Sequence, residues 1–243
     1  MRAPTPSELL AAWERGAKRT PAERGVELLA LAGPDTQPGE LAALTVGERD
    51  RRLLDLRTVL FGHTLDGLDR CPECDEPVSF SVRVEALRSA PAPAADEWFE
   101  LGADGFELRF RLPTGADLAA ISRERDTTSA RARLLELCVL EATRDGAELP
   151  VESLPEGVTE ALASSMAEAD PQGDVELALE CPACGHAWRA GFDVASFLWA
   201  ELDAWSRRTL DDVHVLASAY GWSEHEILAL GPRREHYLER VGA

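Results

Sequence analysis

The stretches CPECDEPVSFSVRV, residues 71–84, and VELALECPACGHAW, residues 175–188, decide how this chain is read. Each holds a CPxC pair beside a run in which apolar and polar residues alternate, the pattern of a half-buried strand. Val78, Phe80, Val82 and Val84 alternate with Ser79, Ser81 and Arg83; Val175, Leu177 and Leu179 lead into the second pair, and His186 to Phe192 returns as another short strand. A CxxC turn aims two thiolates at one cation while N–H groups of the turn bond to the sulfurs, and two such turns complete the four-sulfur tetrahedron that zinc accepts. Asp75 and Gly185, which follow the pairs, are residue types that tolerate the left-handed backbone of a tight knuckle. The expectation is one structural zinc on Cys71, Cys74, Cys181 and Cys184, in a closed shell with no open position for a catalytic water.

The pairs stand 106 residues apart, far more than in a compact zinc ribbon. Pairing VSFSVRV with VELALE would bring them together around an insertion. The fold expected is therefore α+β: a split zinc-ribbon-like β core with an inserted α/β segment and helical N- and C-terminal regions. Its segments are 1–65, helical; 66–85, the first half of the core; 86–174, the strand-helix insert; 175–192, the second half; and 193–243, a helical module. Two unrelated pairs, a degraded site without metal, or a pair of redox dithiols are the alternatives, but a thioredoxin-like CxxC opens a helix in a βαβ context, and here the surroundings read as strand and turn. His186 need not be a ligand when four cysteines suffice. Cys138, in LLELCVLEA, reads as a buried small hydrophobe.

Outward from the cysteines, Thr20 and Pro21 mark a helix start between two N-terminal helical patterns, and the loop GPDTQPGE, residues 33–40, would let the first 35 residues move relative to the rest. A helix is expected from Glu48 to Phe61, with Thr45 as an alternative earlier cap and Gly62 as a left-handed C-cap. Past the Pro/Ala linker 89–96, Ala103-Asp104-Gly105 turns a hairpin between Trp98–Leu101 and Phe106–Leu112, and helices follow near 117–121 and 128–142. Residues 145–180 carry ten acidic residues and no Lys or Arg; their helix 155–169 reads as a solvated acidic face over Val158, Leu162 and Met166. From Asp193 the pattern is helical, with a division expected near Ser206 to Thr209.

A formal charge of −19 argues against general nucleic-acid binding and against docking on an anionic membrane. Without an apolar run near 20 residues or a signal-peptide core, the chain is expected to be cytoplasmic. No metalloprotease, P-loop, dinucleotide or nucleophile-elbow motif occurs, so neither an enzyme nor a small-molecule substrate is expected. The tail is more informative. Gly221 stops a helix, Ser223 and Glu226 match a capping box with Trp222 placed to staple onto Ile227, and Pro232 resets the direction before Tyr237, giving three short helical units. With Trp199 and Trp205 upstream, these aromatic residues read either as core or as a protein-binding patch made of Trp199, Trp205, Tyr220, Trp222, Ile227, Leu230, Arg233, Arg234 and Tyr237.

Taken together, LTVGERDRRLLDLRTVLFG (44–62), CPECDEPVSFSV, LRFRLPTGADLAAI (108–121), ECPACGHAW and DVHVLASAYGWSEHEILALGPRREHYLERV (212–241) resemble the baseplate hub assembly chaperones of contractile-tailed phages and their relatives in phage-like contractile injection systems. The corresponding positions include Gly47, Arg49, Asp50, Leu56, Arg57 and Gly62, the four thiols, and Asp212, His214, Tyr220, Trp222, Glu226, Pro232 and Tyr237. The resemblance implies a non-catalytic factor that binds baseplate or tail hub proteins. A zinc-stabilised regulatory or redox protein is the alternative.

Overall fold

The hydroxyl oxygens of Thr5 and Thr20 accept the N–H groups of Glu8 and Glu23, whose carboxylates accept the Thr5 and Thr20 N–H groups in return; these capping boxes open α1 (Pro6–Gly16) and α2 (Pro21–Ala32). The computed structural model describes residues 2–33, 36–91 and 93–242, so Pro34 and Asp35 of the expected hinge, and Ala92 of the linker, lie outside the described residues. After α3 (Pro38–Ala42), Thr45 caps α4 (Val46–Phe61), so the helix begins two residues before Glu48. Gly62 ends it with φ 86° and ψ −166°, an extended positive-φ conformation rather than the expected left-handed helical cap.

Two hairpins carry the CPxC turns. β1 (Thr64–Arg70) pairs antiparallel with β2 (Pro77–Arg83), and the Phe80 ring lies across Gly67, its register partner, in space that a Cβ would occupy. The insert forms its own sheet from β3 (Trp98–Ala103) and β4 (Phe106–Arg111), followed by α5 (Gly115–Ile121), α6 (Thr127–Cys138), β5 (Val139–Arg144), β6 (Ala147–Glu148) and α7 (Glu156–Ala169). The strand order is β3-β4-β5-β6, and Asp104 and Gly105 turn the first hairpin with φ 51° and 80°. β7 (Glu176–Glu180) and β8 (Ala187–Gly191) make the second CPxC hairpin, and α8 (Val194–Tyr220), α9 (Glu224–Leu228) and α10 (Arg233–Val241) complete the chain.

Four expectations are corrected. β2 does not pair with β7: each CPxC sits at the tip of a separate hairpin, and β1, in which Gly67 and Asp69 break the apolar alternation, supplies the missing strand of the first. The helix expected over 128–142 stops at Cys138, because Val139 and Ala142 are buried against β4; a register shift opposite Arg109 and Phe110 leaves Leu140 outward. α8 runs unbroken for 27 residues, since Ser206 and Thr209, read as a break, are small side chains on its buried face while Arg207 and Arg208 point to water. The first helices are not a mobile arm. Leu9, Leu28 and Leu29 share one core with Leu53 and Leu56 of α4 and Leu198 and Leu202 of α8, and Trp13 Nε1 donates to Asp203 Oδ1 at 2.8 Å.

The insert has a second core, in which Phe106, Leu108 and Phe110 of β4 meet Val158 and Leu162 of α7 as the helical periodicity implied. It is tied to the main core by backbone bonds from Val46 N–H to Pro113 O (3.0 Å) and from Gly115 N–H to Leu44 O (3.1 Å). Buried Gln172 adds another tie, accepting the Ser89 N–H and donating to Leu87 O.

Candidate metal centre

Each knuckle is built locally. Cys71 N–H donates to Glu76 O and Asp75 N–H to Cys71 O; Cys181 N–H donates to His186 O and Gly185 N–H to Cys181 O, so the two turns repeat one geometry. Asp75 at φ 59° and Gly185 at φ 73° take the left-handed conformation that their residue types allow. The hairpin tips meet, and the sulfurs of Cys71, Cys74, Cys181 and Cys184 all lie within 4.8 Å of one another. Cys71 Sγ stands 3.6 Å from Cys184 Sγ, and Cys74 Sγ 3.6 Å from Cys181 Sγ. A tetrahedral shell with metal–sulfur bonds near 2.3 Å puts its sulfurs about 3.8 Å apart, so the cluster is suited to a metal ion of that size. Cys71 and Cys181 are buried beside Val78, with Trp188 packed against them, and His186 stacks on Trp188 instead of joining the sulfurs.

Four thiols this close cannot all ionise without a cation. The N–H of Cys184, with that of Ala183, draws the Cys181 thiol down to about 7. The Glu76 N–H favours the Cys74 thiolate, but the neighbouring sulfurs and burial prevail and push that thiol up to about 12. Cys138 is remote from the cluster and wholly buried, and burial raises it to about 12, as expected of a packed thiol.

The sequence-proposed binding patch divides. Trp199 is core: its ring occupies the space beside Gly16 and lies under the Arg24 guanidinium at 4.6 Å, so it has no face for a partner. Ile227 is likewise fully buried, and Trp205 packs against the main core. Arg234 is held by Asp212 at 3.2 Å, and Leu230 is half-buried. Three residues do converge. Gly221, at φ 70°, turns the chain so that Trp222 stacks on Tyr220 at 4.6 Å, and Tyr237 meets both rings edge-on at 5.0 and 5.8 Å. The trio is partly exposed, with Arg233 exposed nearby in the chain, and the Ser223–Glu226 capping box anticipated from the sequence fixes the turn.

Sequence reasoning missed a polar group beneath the start of α4. Asp170, just beyond α7, accepts the Gly47 N–H on Oδ2 at 2.8 Å across 123 residues, and Arg49 Nε bonds Asp50 Oδ1 at 2.7 Å, both side chains buried. Burial pushes the Asp50 carboxyl up to about 6 against the pull of Arg49. The local signal was Gly47 in a helix, where glycine is unfavourable unless something packs against it.

The family model described as T4 bacteriophage base plate protein matches residues 34–199, more than half of the chain. The chain belongs to that family. The match takes in α4, both CPxC hairpins and the whole insert, and ends inside α8, so the aromatic tail lies beyond it. No curated protein and no solved structure matches the chain. As a baseplate-family protein it has a non-catalytic structural or assembly role, exerted through contacts with baseplate components. Among the described residues no helix is long and apolar enough to cross a membrane.

Proposed function

We propose that this protein is an assembly factor for the baseplate or tail hub of a contractile phage-like particle, working in the cytoplasm and clamped by one structural zinc. The convergence of four thiols from two hairpin tips carries the metal reading. Cys71, Cys74, Cys181 and Cys184 would hold the ion in a zinc-ribbon-like centre, where it supplies the positive charge that lets the crowded thiols ionise. Residues 86–174 then form a unit inserted between the two halves of the centre, and the metal fixes the start and end of that insertion. Tyr220, Trp222 and Tyr237, with Arg233, are the proposed contact for a hub protein: rigid aromatic rings that desolvate a patch, with a charge at its edge to orient the partner.

The test is co-purification from cells that make the particle. Full-length, zinc-loaded protein is expected to bring down baseplate or hub proteins in stoichiometric amounts, and a Tyr220→Ala, Trp222→Ala variant with unchanged melting and zinc content is expected to lose them. Wild-type protein that captures no baseplate component defeats the assembly reading, whereas a variant that retains its partner moves the contact away from the tail.

A further inference from the structure

The four thiols are not equally covered. Cys71 and Cys181 are no more than 2% exposed, whereas Cys74 and Cys184 are open to solvent. The buried pair and the open pair each take one cysteine from each hairpin, so the difference belongs to two sides of the centre and not to its two knuckles. One residue closes the buried side. On β8, Trp188 lies on the half-buried face opposite Leu179, and it packs on the group Cys71, Val78 and Cys181. Its Nε1–H crosses to Asp69 Oδ2 of β1 at 3.4 Å; among the described residues no other side-chain hydrogen bond joins the two hairpins, apart from the contacts of the thiols. Asp69 is itself fixed, because its Oδ1 accepts the Arg70 N–H at 2.8 Å and Val78 faces it across the β1–β2 pair. His186 stacks on the Trp188 ring.

A thiolate-bound ion is lost when water, a proton or a competing ligand reaches the sulfurs, so the rate of loss depends on access as well as on the number of ligands. A ring that keeps water from two sulfurs protects those two and leaves displacement to the others. We propose, on the strength of the metal reading above, that Trp188, held by Asp69, is the positioning residue of the centre. It seals Cys71 and Cys181 and leaves Cys74 and Cys184 as the face through which the ion is loaded and removed. The Asp69 bond has a second consequence. Because it joins β8 to β1 directly below the sulfurs, it holds the two tips in register through groups that are not ligands.

The test follows transfer of zinc from loaded, full-length protein to an excess of a chromophoric chelator. Trp188→Ala should release the ion about 10–100 times faster than wild type, the scale on which loss of an outer-shell partner weakens a metal site. Asp69→Ala should speed release while Trp188 is present and add nothing once it is gone. Phe110→Leu, in the core of the insert, lowers the melting temperature without touching the hairpins and should leave the rate as it is. Melting and zinc content verify each variant. Limited alkylation of the loaded wild type, mapped by peptide mass spectrometry, needs no variant: Cys74 and Cys184 should be modified first, and in Trp188→Ala all four cysteines should react together. A release rate in Trp188→Ala equal to that of wild type, the same acceleration from Phe110→Leu, an Asp69→Ala effect that persists without Trp188, or first modification of Cys71 or Cys181 in wild type overturns the proposal and leaves the metal reading standing. Wild-type protein that carries no zinc overturns both.

Discussion

Cys181→Ser removes one sulfur from the cluster and leaves the backbone bonds of its hairpin in place, which makes it a direct measure of the metal clamp. Little else joins the two tips: the buried apolar group there is Cys71, Val78 and Cys181, with Trp188 packed on its side. An ion shared by the two pairs closes a loop of 106 residues between Cys74 and Cys181. A cross-link over a loop near that length restricts the unfolded chain by about 5 kcal/mol in the chain-entropy description. The expected loss is therefore about 4–5 kcal/mol, a large part of the stability of an ordinary domain, and a fall in Tm of roughly 10–15 °C. Elemental analysis of untagged, reduced protein should find one zinc in the wild type and weakened zinc retention in the variant. Urea and thermal unfolding with and without chelator complete the assay: chelator should bring the wild type down to the variant and should have little effect on the variant itself. A zinc-free variant that unfolds within about 1 kcal/mol of wild type would refute the clamp, as would wild-type protein with no metal in chelator-free buffer. Two ions per chain would require two separate sites.

Gly47→Ala should cost about 3–5 kcal/mol in urea unfolding, because its Cβ would fall within the Asp170 carboxylate and break a buried, charge-assisted bond in a packed site; a change under about 1 kcal/mol would show that this contact is not rigid. Asp50 has a folded-state value of about 6, above the ordinary 3.8, so the folded state holds more protons between those values and this residue's contribution falls as pH rises through that window. Wild type should accordingly gain stability relative to Asp50→Asn on going from pH 7 to pH 4, by at most about 3 kcal/mol, and a difference that stays constant with pH would contradict the assignment. Metal loss in acid affects both proteins and drops out of that comparison.

What the sequence determined by itself is local. The CPxC turns, with Asp75 and Gly185 behind them, and the caps at Thr20 and Ser223 depend on residues three to five positions apart, so their chemistry is written in the same short stretch that folds. The β3–β4 hairpin and the buried stripe of α7 were legible for the same reason, through period two and period three-and-a-half. Long-range burial decided the rest. Val139 and Ala142 leave a helical pattern because β4 offers an apolar face, Ser206 and Thr209 stay helical because they lie on the buried face of α8, and Trp199 is consumed by Gly16 although it looked available to a partner. Family resemblance named the right assembly, but neither spacing nor resemblance could show how Cys74 reaches Cys181 through separate hairpins, or that Asp170 would settle on Gly47. Those contacts join residues more than a hundred positions apart, and no periodicity extends that far; they exist because the two cores, once packed, leave those groups no other place.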